Sequence, residues 1–133
     1  MLNLQRNLYQ FHSKMGLTVK GYPQIPDQST VNLRSKLISE EAKEVTTAIK
    51  EGSLDKIARE LVDLVYVTIG TAISYGINLA PIWDVIHESN MAKDPALKNE
   101  DGKVLKPKGW SEPDVKFQIA QQVVTGQPRV ENS

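Results

Sequence analysis

Two stretches place carboxylates three residues apart: Glu41 and Glu44 in "SEEAKEV", and Glu60 and Asp63 in "ELVDLVYVTIG". Residues three and four apart share a face of an α-helix, so each pair presents its oxygens together, with Glu40 at the edge of the first. Neither face reads as ordinary solvent-facing helix. Leu37 and Ala48 lie above and below Glu41 and Glu44 on one stripe, and Val67 follows Glu60 and Asp63 in a segment apolar almost all round. Like charges about 4 Å apart repel by ~1 kcal/mol in water and ~4 kcal/mol at the effective dielectric of a protein surface. Protonation, a Lys or Arg network, or a hard divalent cation can each relieve that repulsion. The cation best suits a set that offers only oxygen, with neither Cys nor His inside the two stretches. The competing reading has the acids face solvent and pair with Lys36, Lys43, Lys56 and Arg59, as helical surface charges commonly do.

Helices must position these acids. Serine or threonine at 29 or 30 can cap a helix that runs to a stop at Gly52, with Leu33, Leu37, Ala48 and Ile49 as its inward stripe. Ser53 can cap the next helix, which carries Asp55 in its first turn and ends at Gly76. A connection this short makes the two an antiparallel hairpin. Equal steps from the turn reach Glu44 on one arm and Glu60 on the other, so all four carboxylates line one pocket.

Around the hairpin, Leu4, Leu8, Phe11 and Met15 mark an amphipathic first helix over Leu2 to Met15, stopped by Gly16. Gly21, Pro23 and Pro26 then forbid regular structure over about a dozen residues, a length that often wraps over a site. Pro81 suits the first turn of a fourth helix reaching about Lys93, with Trp83 facing inward beside Ile82 and Ile86. Beyond it, Asp101-Gly102 suggests a small hairpin, and a short helix is expected over Val115 to Gln122. The expectation is one all-α domain over residues 1–122, followed by a flexible tail over 123–133. No segment shows strand alternation.

Composition narrows the function. The 133 residues hold 16 Lys and Arg against 16 Asp and Glu, so no global basic field draws the chain to a nucleic acid polymer or an anionic membrane. There is no cysteine, which removes disulfides, zinc–thiolate sites, iron–sulfur clusters and thiol nucleophiles. The N-terminus lacks the apolar block of a signal peptide, and the most apolar stretch, Leu61 to Ile73, is short of a membrane span and broken by Asp63. A cytoplasmic protein is expected. No G-x-x-x-x-G-K-[ST] loop is present, which excludes P-loop chemistry.

The ordered pair "EEAKE" and "ELVD" resembles the E-x-x-E…E-x-x-D signature of the MazG-like all-α nucleoside triphosphate pyrophosphohydrolases. The similarity extends through "FHSKMG", "LRSKLISEE", "HESNMAKD" and "DGKVLKPKGWSEPDV", from about residue 10 to residue 115. It looks like the short subgroup that includes the dUTPase-like and phage-type proteins. The resemblance implies an antiparallel helical bundle completed by oligomerisation, as a homodimer or a dimer of dimers. It implies a nucleoside triphosphate substrate cleaved between the α- and β-phosphates, giving a monophosphate and pyrophosphate, with Mg²⁺ as cofactor and Mn²⁺ able to substitute. Deoxynucleotides are expected, with dGTP and dUTP as leading candidates.

Carried over by position, Glu41, Glu44, Glu60 and Asp63 match the metal ligands. Glu40 matches an additional acid that orients or deprotonates the attacking water, so that Glu40 and Glu41 are the expected catalytic pair. Asn90 and Lys93 match nucleotide and phosphate contacts. Among the remaining residues, His12 is either a packing residue or a substrate contact, and Arg34 either pairs with the acids or touches phosphate. Lys106 is a candidate cation for the leaving pyrophosphate, and Trp110 closes over a nucleotide or docks on a neighbouring subunit. His87 reads as structural or exposed. Two other classes fit the same acids: a nucleotide-binding regulator without turnover, and a helical interaction module whose acids are structural. A ferritin-like di-iron centre does not fit, because Glu-x-x-His is missing from both stretches.

Overall fold

Left-handed glycines end three of the helices, as the sequence leads one to expect. The structure, a computed structural model, describes residues 2–126. Its first helix, α1 (Leu2–Met15), stops at Gly16; α2 (Gln28–Glu51) stops at Gly52, with φ 79°; and α3 (Leu54–Tyr75) stops at Gly76, with φ 72°. Then come α4 (Leu79–Met91) and α5 (Val115–Thr125). The described residues contain no strand, only an isolated antiparallel bridge between Lys98 and Val104 around the Gly102 turn. The fold is all-α.

The α2–α3 hairpin forms as expected, and the two helices pack along each other. Their caps differ in detail. Asp27, not Ser29 or Thr30, occupies the N-cap of α2; its carboxylate accepts from the Thr30 amide, from Thr30 Oγ1 at 2.8 Å and from Ser29 Oγ. Both expected cap residues are thus held by the true one. The inward stripe of α2 also differs, since Thr30, Arg34, Val45 and Ala48 are buried while Leu33 and Ile49 are exposed. Counting apolar residues displaced the face by about one position, because the stripe facing α3 has Arg34 and Glu41 where apolar residues would normally mark it.

α1 lies across α3. Leu8, Ile69 and Ile73 form the buried centre, with Tyr9, Val19, Tyr66 and Leu79 packed on it and the Phe11 ring edge-on to Tyr66 at 5.3 Å. Leu4 and Met15, from the expected stripe, remain exposed. The irregular segment between α1 and α2 is strapped to the end of α3: the Lys20 amide donates to Ile73 O at 3.2 Å and the Gln24 amide to Tyr75 O at 2.9 Å. A side chain at Gly76 would lie 2.0 Å from Tyr22 O, so that crossing requires glycine for space as well as for its positive φ.

α4 leaves α3 at 118° and packs on α5. The buried Gln122 amide fixes that junction, accepting from the Asn78 amide at 2.8 Å and donating to Asn78 O at 3.0 Å. Within α4 only Ile82 is buried, and Trp83 is 61% exposed, contrary to the expected inward position. One narrow contact face cannot cover both neighbours on a helix, where successive residues are turned by about 100°. α4 ends at Met91 and α5 continues to Thr125, while residues 127–133 of the expected tail lie outside the described residues.

Candidate functional site

The hairpin brings Glu41 of α2 opposite Glu60 and Asp63 of α3, with one carboxylate oxygen from each lying within 4.8 Å of the others. Glu60 is 6% exposed, and Glu41 and Asp63 are half-buried. Burial, then repulsion from Asp63, Glu44, Glu60 and Glu40, holds the Glu41 carboxyl above the usual carboxylate range. Burial followed by repulsion from Glu44 and Asp63 does the same for Glu60, and Arg59 only partly opposes it. Glu41 Oε2 is buried with no hydrogen-bond partner.

Among the described residues no lysine forms an ion pair with this trio, although Lys56 is close enough for its charge to act on Glu60 and Glu44. Among the described residues, Lys36 pairs with Glu40 at 3.9 Å and Lys56 with Glu51 at 2.8 Å; neither pair includes Glu41, Glu60 or Asp63. Surface pairing of the acids, the competing reading, therefore fails for these three. What they offer is a set of hard oxygen donors, one of them buried and unpartnered, converging from two rigid helices. That donor set fits a divalent cation. Glu44 lies at the exposed rim, outside the convergent trio but close enough to act on both Glu41 and Glu60. Glu40 is exposed on the solvent side beside Lys36.

Further along the same seam, Arg34 is only 4% exposed and crosses to α3, donating to Val67 O at 3.0 Å and to Thr71 Oγ1 at 3.1 Å. It makes no ion pair with the acids among the described residues, and burial lowers its basicity. His12, 1% exposed, donates Nδ1–H to Thr18 O at 3.1 Å, since a carbonyl can only accept. Ser74 Oγ donates to the same carbonyl at 2.9 Å, and Thr18 Oγ1 lies 2.8 Å from Thr30 Oγ1. Burial depresses the His12 pKa, the Thr18 bond opposes that, and Arg34 adds to it.

His12 Nε2 and Arg34 Nη2 both press on Gly70, where a Cβ would sit 2.7 Å and 2.8 Å from them. The roles of Thr18, Ser74 and Gly70 in holding these two side chains escape the sequence reading. Gly70 alone left a signal, as an isolated glycine inside a helical pattern marks close packing.

The other expected site residues lie elsewhere in the chain. Asn90 is exposed at the end of α4, and Lys93 follows it with its Nζ 5.2 Å from the centre of the Trp110 ring. Lys106 Nζ lies 4.9 Å from that same centre, and Trp110 Nε1 donates to Ser89 O at 3.0 Å. Trp110 is thus docked on its own α4. His87 is exposed.

No curated protein matches the chain significantly. Residues 8–90 match the family model of phosphoribosyl-ATP pyrophosphohydrolase, an interval that spans α1 to α4 and contains every acid of the cluster. The chain therefore belongs to the phosphoribosyl-ATP pyrophosphohydrolase family of MazG-like all-α enzymes, and it is a nucleotide pyrophosphohydrolase acting on an acid anhydride bond.

Proposed function

We infer that the chain is a Mg²⁺-dependent nucleoside triphosphate pyrophosphohydrolase of the short, dUTPase-like and phage-type subgroup. It hydrolyses a deoxynucleotide, dGTP or dUTP foremost, to the monophosphate and pyrophosphate. The observation that carries this reading is the trio Glu41, Glu60 and Asp63, whose ligand oxygens lie within 4.8 Å of one another, together with the buried, partnerless Glu41 Oε2. Those three residues, with Glu44 at the rim, would hold the cation. When bound, a hard divalent ion draws charge off phosphate oxygens and lowers the pKa of water. Glu40 and Glu41 orient the attacking water and accept its proton. Asn90 and Lys93 contact the nucleotide and its phosphates, with Lys106 and Trp110 as further substrate-binding residues, whereas His12 and Arg34, buried and hydrogen-bonded to Thr18, Val67 and Thr71, serve packing instead of substrate contact.

The exposed apolar side chains of α3, Leu61, Val62 and Val65, support assembly as a homodimer or tetramer. The enzyme acts as a single domain in the cytoplasm, and Mn²⁺ substitutes for Mg²⁺. A second reading of the substrate comes from the family match itself: phosphoribosyl-ATP contains the same kind of phosphoanhydride.

The deciding experiment incubates the protein with Mg²⁺ and each dNTP, NTP and phosphoribosyl-ATP, and scores monophosphate and pyrophosphate. Turnover of dGTP or dUTP with pyrophosphate release is expected. Turnover of phosphoribosyl-ATP alone selects the second reading. Binding without product, or orthophosphate in place of pyrophosphate, overturns both.

A further inference from the structure

A buried arginine is ordinarily paired with a carboxylate, because an unpaired ion inside a protein is costly. Arg34 is 4% exposed and forms no ion pair among the described residues. Its bonds close a ring instead: Nη2 donates to Val67 O at 3.0 Å, Nε donates to Thr71 Oγ1 at 3.1 Å, and Thr71 Oγ1 donates in turn to Val67 O at 2.7 Å. α3 makes room for this fork at Gly70, where a Cβ would stand 2.8 Å from Nη2, and His12 Nε2 of α1 closes the same notch. An apolar side chain would fill the seam at less cost but would let the helices slide. A planar guanidinium bonded at two points does not, and fixing register is the best-attested use of a buried polar group.

This clamp lies in register with the acids. Seven residues back from Glu41 along α2 is Arg34, and seven forward from Glu60 along α3 is Val67. In antiparallel helices equal and opposite steps lead to facing positions, and seven residues make two turns, about 10 Å. The trio is thus held between two fixed points, the turn at Gly52 on one side and the Arg34 ring on the other. The carboxylates between them repel one another, which drives the helices to slide or splay.

We propose that Arg34 is a positioning residue for the pyrophosphohydrolase: by locking α2 to α3 in one register it holds Glu41 against Glu60 and Asp63 before an ion arrives. The assignment rests on the metal reading above. Its expected effect has the opposite sign to that of simple electrostatics. Removing a nearby positive charge should tighten the binding of a cation, whereas releasing the register weakens it. The loss falls hardest on Mg²⁺, which demands near-octahedral geometry, and less on Ca²⁺, which accepts irregular sites.

The test follows the electron paramagnetic resonance of free Mn²⁺ titrated with the full chain and then displaced by Mg²⁺ or Ca²⁺, with circular dichroism confirming helix content. Arg34→Met suits it, since methionine fills irregular gaps and Val67 O keeps its bond from Thr71. This variant is expected to weaken Mg²⁺ about ten-fold, the lower end for groups that support metal ligands from outside, and Ca²⁺ less. Arg34→Lys keeps the charge but not the fork and gives the same loss. Thr71→Val, which leaves every charge in place, shifts the Mg²⁺ to Ca²⁺ preference in the same direction. Leu8→Ala, a core change outside the seam, lowers the Tm and leaves that preference at the parent's value. Unchanged or tighter Mg²⁺ binding by Arg34→Met, full rescue by Arg34→Lys, or an equal shift in Leu8→Ala overturns the positioning role and leaves the metal reading standing. A parent that binds none of the three ions overturns both.

Discussion

Glu41 of α2 and Asp63 of α3 face each other across the hairpin, each with a carboxylate oxygen within 4.8 Å of the other and of Glu60. Asp63 is the strongest electrostatic cause of the raised Glu41 pKa, second only to burial. The pair destabilises the metal-free fold, and a bound divalent ion converts the repulsion to attraction. Glu41→Gln should therefore raise the Tm of the metal-free protein. It should also shrink the Tm increase that Mg²⁺ or Mn²⁺ gives the parent by mass action, and lower pyrophosphohydrolase turnover by on the order of 100-fold, the upper end for groups that support a metal site. Thermal melts with EDTA and with each metal check the first two effects. A variant that melts like the parent in both conditions removes Glu41 from the site.

The same carboxyls set a pH dependence. Glu41 and Glu60 both have raised pKa values in the fold, so the folded state retains protons that the unfolded chain has released. By linkage their contribution is fully present below the unfolded value of about 4.3 and is lost as pH rises through the raised folded values. His12 works at higher pH with the opposite sign. Its depressed pKa means that the unfolded chain binds the proton more readily, so its contribution is present above about 6.5 and is lost as pH falls through the folded value. Urea titrations in EDTA across this range should show both limbs. His12→Gln should flatten the loss seen on acidification from neutral pH, and Glu41→Gln the loss seen as pH rises from the carboxylate range.

The hairpin and its acids were legible because both depend on short-range rules: glycine stops, a connection too short for anything else, and a three-residue interval that fixes a shared face. The convergence of Glu41, Glu60 and Asp63 was legible for the same reason, while Glu44, expected beside them, stands outside the trio. What escaped depends on groups far apart in sequence. Asp27 takes the α2 cap because its carboxylate reaches both Ser29 and Thr30, and any of the three residues is a good cap by type alone. Arg34 read as a partner of the acids or of phosphate, yet it is buried against α3, which supplies Val67 O and Thr71 Oγ1 as acceptors. Trp83 looked like core because its neighbours are apolar, and the described residues offer it no covering element. Trp110, in a segment without helical pattern, gave no sign of the carbonyl or the lysines that hold it.

Gly70→Ala tests the packing of the buried polar seam. On helix propensity alone the change favours stability by about 1 kcal/mol. Here the new methyl meets His12 Nε2 at 2.7 Å and Arg34 Nη2 at 2.8 Å, and both side chains are tied by hydrogen bonds to Thr18, Val67 and Thr71. Overpacking of this kind costs about 1–3 kcal/mol, so net destabilisation is expected in urea unfolding. A more stable variant would show that the seam is loose.

The last prediction concerns the face of α3 that the described residues leave uncovered. Val62 is 63% exposed, with Leu61 at 45% and Val65 at 46%, although α3 is also the central helix of the fold. In the reading proposed above, a second copy covers this face. Val62→Glu puts a charge at its most exposed point, where it is harmless to a single chain but unfavourable once desolvated against a partner. Sedimentation equilibrium should show the parent as a dimer or tetramer and the variant shifted toward monomer, with circular dichroism retaining the helical signal. Because Glu41, Glu60 and Asp63 come from one chain, the Val62→Glu monomer should still show a metal-dependent rise in Tm. A parent that sediments as a monomer would overturn the proposed assembly, and a variant that stays associated would move the interface to another face.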